Sequence, residues 1–312
     1  MKVIKPSFEV WERDGLRSNI ATIERAGRLC YKSEGKPGTT DKFVRNLILS
    51  KHNSVLEHGD MVFEVSAGVY EILSNVLNNF RDAGEPVPML AMTHIGGRYI
   101  VSGNIRAWRE LFASGESIGA AFISQFDPVF VQGYGFIWED SQDSGEVRRI
   151  QYSDLKERNE QRIHIRQTVH FICDRAVQNE FVRHRLMSFS VESSRYCDYN
   201  SGKFGGEMTV IEPPFFPKNT IIYDTWKHAC EWSETAYQKL RMFQRPAQEA
   251  RSVLPLSVKT EMAVTGNLRS WDHFFDLRAR QVTGAAHPQA VELAVPLMGK
   301  LTMRFPDAIG GD

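Results

Sequence analysis

The sequence carries no excess of charge of either sign: Lys plus Arg and Asp plus Glu each total 38 over 312 residues, for a net charge of zero. A general nucleic-acid binder normally shows a basic excess or stripe, so this balance argues against one. Cysteine is scarce. Cys30, Cys173, Cys197 and Cys230 are widely spaced with no C-x-x-C, which is poor material for zinc or a disulfide framework and suggests a reducing compartment. The opening M-K-V-I-K-P-S-F-E-V has no signal-peptide apolar core, and no window approaches the ~18–20 apolar residues of a membrane span. These absences predict a soluble, cytoplasmic protein whose arginines serve a small anionic ligand, with no nucleic acid and no membrane as partner.

What is present is ordinary globular material, 42% apolar and 11% aromatic, enough for a core. The length allows one large domain or two small ones, and a single domain over 1–312 is expected. Apolar spacing predicts strands over Val3–Val10, Met61–Ser66, Arg98–Ser102, Ile165–Cys173 and Met208–Ile211. Helices are expected over Ile20–Cys30 (capped by Asn19), Asp41–Ser50, 69–82, Asn104–Ala113, Arg175–Val182, Thr225–Phe243, Gln248–Pro255, from about Ser270, and over His287–Arg304. Residues 127–136 have aromatic and β-branched character, 140–146 and 202–208 read as loops, and the charged 154–162 reads as a solvated face. G-N-I-R-A-W-R-E-L-F (103–112) echoes G-N-L-R-S-W-D-H-F-F (266–275). Either a strand-helix unit is duplicated or two independent turns share a capping pattern, with Trp108 and Trp271 simply core.

The densest chemistry lies in Arg183–Tyr196, where three arginines, one histidine and four serines are interrupted by Leu186, Met187, Phe189 and Val191. A guanidinium offers five donors in a rigid fork and stays charged, which suits phosphate or a carbonyl-rich ring. A bare R-H-R would read as a solvated basic loop, but this one follows a strand and a short helix, a common place for ligand contacts. Elsewhere, S-E-G-K-P-G-T-T (33–40) lacks the first glycine and trailing Ser/Thr of a P-loop. His52 and His58 flank Glu57 without the H-E-x-x-H spacing, so a structural role for at least one histidine is expected and no metal.

Arg183-His184-Arg185, seven residues, then Ser193 resembles the signature of the flavin-dependent thymidylate synthases, the ThyX family, as do D-R-A-V-Q-N-E-F-V-R-H-R and E-S-S-R-Y-C-D-Y around it. H-N-S-V-L-E-H (52–58) before an F-E-V strand, and N-L-R-S-W-D-H-F-F-D-L-R (267–278), are similar to two further blocks of that family. The resemblance covers roughly 20–110 and 165–300 and is poorest over 113–163, which is expected to be an insertion. It implies reductive methylation of dUMP to dTMP, with methylenetetrahydrofolate as carbon donor and FAD, reduced by NADPH, as hydride donor. No cysteine here lies in the motif by which classical thymidylate synthases attack C6. Such a site needs cationic donors where negative charge develops on the ring, and others for phosphate.

Carried over residue by residue, the resemblance makes Arg278 the catalytic group that polarises the uracil. Flavin contacts fall on Ser54, Glu57 (with His52 nearby), Arg183, His184, Arg185, Val191, Asn267, Arg269 and His273. Nucleotide contacts fall on Glu180, Arg183, Ser193, Ser194, Arg195, Arg251 and Arg278. Two departures stand out: position 191, often Glu or Gln in the family, is Val, and position 180, Gln in some members, is Glu. The family also implies an α+β fold, an antiparallel sheet flanked by helices, and a homotetramer with shared sites. The competing readings are a non-catalytic nucleotide- or RNA-binding protein and a hydrolase with a metal on His52, His58, His184 and His273.

Overall fold

The computed structural model describes residues 1–12, 18–132, 145–195, 198–199 and 206–310. Pro6 has no N–H to give a ladder, and it divides the expected first strand into β1 (Lys2–Ile4) and β2 (Ser7–Val10). Helix α1 (Ser18–Tyr31) buries Ile20, Ile23, Ala26 and Leu29. Asn19 lies inside this helix rather than capping it, and its amide bonds both the N–H and the C=O of Asp60. Helix α2 (Thr40–Leu49) and a 3-10 turn at Asn53–His58 lead into β3 (Asp60–Val65). Ser66 then caps α3 (Ala67–Asp82) by accepting from Val69 N–H.

Strand β4 (Leu90–Ile95), which the pattern did not announce, pairs with β5 (Arg98–Asn104). Helices α4 (Ile105–Ala113) and α5 (Ala120–Ile123) follow, then β6 (Val147–Arg149) and α6 (Arg158–His164). Residues 127–132, aromatic and β-branched in part, form turns, while 133–136, 140–144 and 202–205 lie outside the described residues. The segment expected to be a solvated face is partly core: Glu160 is 0% exposed and accepts from Arg98 Nη1 at 3.1 and 3.0 Å. A buried carboxylate survives only when paired in this way.

Strand β7 (Arg166–Asp174) runs directly into α7 (Arg175–Phe181), capped by Asp174. Strand β8 (Ser188–Val191) lies within the basic run itself, with Ser188 and Ser190 turned inward. After β9 (Thr209–Ile211) comes the long α8 (Ile221–Met242), which starts four residues before the expected position because Thr220 caps it. The helix expected at 248–255 is one turn, α9 (Ala247–Ala250), followed by a 3-10 turn at Arg251–Val253. Strand β10 (Lys259–Asn267), α10 (Leu268–Arg278) and α11 (Pro288–Arg304) complete the chain.

The mixed α+β class holds, but among the described residues the strands make two four-stranded antiparallel sheets instead of one. Their orders are β2-β7-β10-β8 and β4-β5-β3-β6, with β1 and β9 as a separate parallel pair. One core packs Phe63, Trp108, Phe112, Phe122 and Phe126 on the second sheet. The other packs Phe171, Phe181, Trp271, Phe274 and Phe275 on the first. Trp108 and Trp271 are both 0% exposed, which makes each a core residue.

Candidate functional site

The R-H-R run sits on the connection between α7 and β8. Phe181, wedged between Phe171 and Phe274, ends α7, and the backbone then turns twice, through His184 N–H to Phe181 O and Met187 N–H to His184 O. Opposite it stands α10. Asn267 ends β10 and caps that helix, its Oδ1 accepting from Ser270 N–H at 2.8 Å and its Nδ2 donating to Ile163 O at 3.2 Å. Its side chain is thereby committed to the fold.

Between these elements lies a cavity of about 810 Å³ lined by Arg183, His184, Arg185, Leu186, Met187, Asn267, Arg269, Ser270, His273, Leu277 and Arg278. A second, polar cleft beside Tyr152 and Arg149 holds none of the expected site residues. Arg278 projects from the last turn of α10. Its Nη1 donates to Glu180 Oε2 at 2.7 Å, its Nη2 to Glu180 O at 3.3 Å, and its Nε to His184 Nε2 at 3.3 Å. The last bond places the imidazole proton on Nδ1. Burial, reinforced by Arg278 and His273, pushes His184 down to about 4, so it is neutral at pH 7. Among the described residues no carboxylate pairs with Arg183, Arg185 or Arg269. The cavity is therefore cationic, with Leu186, Met187 and Leu277 as apolar lining, an arrangement suited to an aromatic, phosphorylated ligand.

The structure thus gathers eight of the expected residues: Glu180, Arg183, His184, Arg185, Asn267, Arg269, His273 and Arg278. The others lie elsewhere. Ser193, Ser194, Arg195 and Arg251 form a second patch, where Arg251 Nη1 donates to Ser194 Oγ at 3.0 Å and Ser193 N–H donates to Cys30 O at 3.2 Å. Beside it the buried Glu192 holds Lys259 at 2.8 Å, an anchor that no sequence signal announced. Val191 ends β8 opposite Met262 and packs on the core. Ser54 is exposed on the 53–58 turn, and Glu57 is ion-paired with Arg106 at 2.9 Å, so neither lines the cavity. Leu186, Met187, Ser270 and Leu277 are lining residues that the sequence reading passed over, because nothing but their adjacency to arginine and histidine marks them.

The four histidines do not converge. His52 stacks on Tyr31, and His58 is buried with Nδ1 2.8 Å from Thr265 Oγ1 and Nε2 2.9 Å from Ser190 Oγ, the structural role expected of one of them. His184 and His273 meet at the cavity, their ring centroids 6.1 Å apart. Among the described residues no group of three or more His, Cys, Asp or Glu is arranged to hold a metal ion. No helix among them is long and apolar enough to cross a membrane.

The model of the thymidylate synthase complementing protein family matches residues 16–71 and 157–307. It leaves 72–156 unmatched, a wider gap than the 113–163 read from motifs. A flavin-dependent thymidylate synthase of Thermococcus onnurineus is 34% identical over 107 residues, 34% of this chain and 43% of that protein. Those of Corynebacterium glutamicum and Geobacter sulfurreducens are 29% and 32% identical over 151 and 139 residues, covering 57% and 56% of their lengths. The chain therefore matches about half the length of these relatives. A solved UMP/dUMP methylase, PolB of Streptomyces cacaoi bound with 5-Br dUMP, aligns over 97% of this chain and 93% of its own at 14% identity, with a TM-score of 0.42.

Proposed function

The chain belongs to the thymidylate synthase complementing protein family, and on that premise we propose that it is a flavin-dependent thymidylate synthase converting dUMP to dTMP. The observation that carries the proposal is the Arg278 guanidinium, held in the lining of a cationic cavity by Glu180 and His184. Three of its five N–H groups are engaged there, which leaves two for a carbonyl-rich ring. Charge that develops on uracil during attack from C5 would meet a donor already in place.

The residues fit FAD on the chemistry of the donor set: three arginines without carboxylate partners among the described residues, available for phosphates, beside apolar lining for a flat ring system. Arg183, Arg185 and Arg269 would hold the anionic part, and His184 and His273 border the rest. Bound there, FAD reduced by NADPH supplies the hydride, and methylenetetrahydrofolate supplies the carbon. His184, neutral and accepting from Arg278 Nε, orients the guanidinium and takes no proton at pH 7. In this reading Ser193, Ser194, Arg195 and Arg251 grip the nucleotide phosphate and, lying outside the cavity, do so for the cavity of another subunit of a homotetramer. Ser54, Glu57 and Val191 would likewise reach a cofactor only across a subunit boundary.

The test is turnover. Purified protein given dUMP, methylenetetrahydrofolate and NADPH should form dTMP only when FAD is bound. Nucleotide binding without dTMP under those conditions would replace the proposal by non-catalytic nucleotide binding.

A further inference from the structure

The echo between 103–112 and 266–275 extends into three dimensions. Asn104 and Asn267 each end a strand and cap the next helix, with φ/ψ of −72/161° and −72/164°, each accepting from the N–H three residues on at 2.8 Å. Asn104 lies opposite Asp60 on β3, and Asn267 opposite Arg166 on β7. Both β3 and β7 run straight into a helix with a side-chain cap, from Ser66 and from Asp174. The register continues outward, Ala91 facing Ser102 as Ser188 faces Thr265. A Cβ on Gly103 would strike Leu90, and one on Gly266 would strike Met187. Read from the outer strand, the sheets have one order, β4-β5-β3-β6 and β8-β10-β7-β2.

The two halves also exchange parts. Strand β2 precedes β3 in the chain but pairs with β7, and β6 precedes β7 but pairs with β3. Trp11 N–H donates to Thr168 O and Ile150 N–H to Val62 O, both at 3.0 Å, each acceptor two residues into its strand. His58, two before β3, bonds Thr265 and Ser190 of the other sheet. His164, two before β7, bonds Ser102 and Thr93 of the first, both at 2.7 Å. Two unrelated capped turns would not share strand order, register and a reciprocal exchange.

The copies differ where the cavity lies. Helix α3 has 16 residues and α7 has 7, and the shortened helix leaves the space that the R-H-R connection occupies. Aligned from their caps, Glu180, Arg183, His184 and Arg185 stand where the first half has Ile72, Asn75, Val76 and Leu77. Likewise His273 and Arg278 stand at the places of Glu110 and Gly115. Arg269 alone of the cavity arginines has an arginine counterpart, Arg106, and that one is neutralised by Glu110 at 2.7 Å and Glu57 at 2.9 Å. Moreover β4 and β5 join through Gly96-Gly97, whereas β8 and β10 are separated by residues 192–258, which carry Ser193–Arg195 and Arg251.

We infer that residues 7–113 and 147–278 are two fused copies of one folding unit, and that the second keeps the cavity of unpaired arginines while the first has lost it. Residues 72–156, outside the family match, are then the body of the first copy and its link to the second, not an insertion.

Equivalent variants and a count of sites test this. FAD released from the saturated, denatured protein should amount to about one per chain, with Arg269→Ala weakening its retention by about tenfold and Arg106→Ala leaving it unchanged. Two FAD per chain, or equal losses in the two variants, would overturn the inference. Failure to take up any FAD would instead strike the thymidylate synthase reading. The asymmetry is then decided with inorganic pyrophosphate as the probe: binding lost on Arg269→Ala supports it, and binding lost on Arg106→Ala overturns it.

Discussion

Glu180 clamps Arg278 twice, through its carboxylate at 2.7 Å and through its main-chain carbonyl at 3.3 Å. The clamp joins the end of one short helix to the end of another and fixes a guanidinium that would otherwise sample many rotamers. Arg278→Ala should keep FAD bound and lower kcat by about 100-fold or more, the scale of losing one preorganised donor. Arg278→Lys should not rescue, because an ammonium cannot hold Glu180 and present a flat fork together. Steady-state rates beside flavin absorbance check both, and a variant with undiminished turnover would remove Arg278 from the chemistry.

If the nucleotide patch of one chain serves the cavity of another, two dead variants should complement. Arg251→Ala and Arg278→Ala, each inactive alone, should regain part of the wild-type rate when unfolded together and refolded as mixed oligomers. A mixture as inactive as its components would place both residues in a site built within one chain.

Stability should fall as the solution is acidified. Burial holds His164 and His184 down to about 4, below the ordinary 6.5. With the folded pKa depressed, the unfolded chain binds more protons between 6.5 and 4, so stability is full above 6.5 and declines as pH falls through that window. By pH 5 each histidine should have removed about 2 kcal/mol. Denaturant unfolding at pH 7 and pH 5 measures this, and His164→Gln, which cannot titrate, should show a smaller difference than wild type. An equal difference in the two proteins would contradict the assignment.

Glu160 is fully buried, accepts from Arg98, and receives the N–H groups of Lys156 and Glu157. Glu160→Ala should destabilise the protein by about 2 kcal/mol, since it leaves Arg98 with Glu64 as its remaining carboxylate and strands the N–H groups of Lys156 and Glu157. A thermal melt that scarcely moves would mean the ion pair is replaced by water at no cost.

Much of this was readable because it is local. The helix start at Asn104, the strand at 165–173 and the R-H-R block all follow from short-range periodicity, capping chemistry or a motif, while the last of the site helices begins at Leu268, two residues before the expected Ser270, because Asn267 caps it. The strand Ser188–Val191 was hidden because its inward residues are serines, made tolerable by a histidine 132 positions away in the chain. Glu160, on α6, looked solvated because its partner, Arg98, comes from strand β5, 62 positions away in the chain. Glu57 and Ser54 belong to the right motif but to the first copy, and the pairing of that copy with the second is a long-range fact. The echo was visible as ten residues; the exchange of β2 and β6 that gives it meaning was not.

The most direct measurement is the visible absorption spectrum of the purified protein, followed by anaerobic addition of NADPH with and without dUMP. Flavin bands should be present and should bleach, faster when dUMP is present, and Arg269→Ala should diminish the bleaching through lost cofactor. A colourless protein that takes up no added FAD would contradict this and leave the arginine cavity as a site for some other phosphorylated ligand.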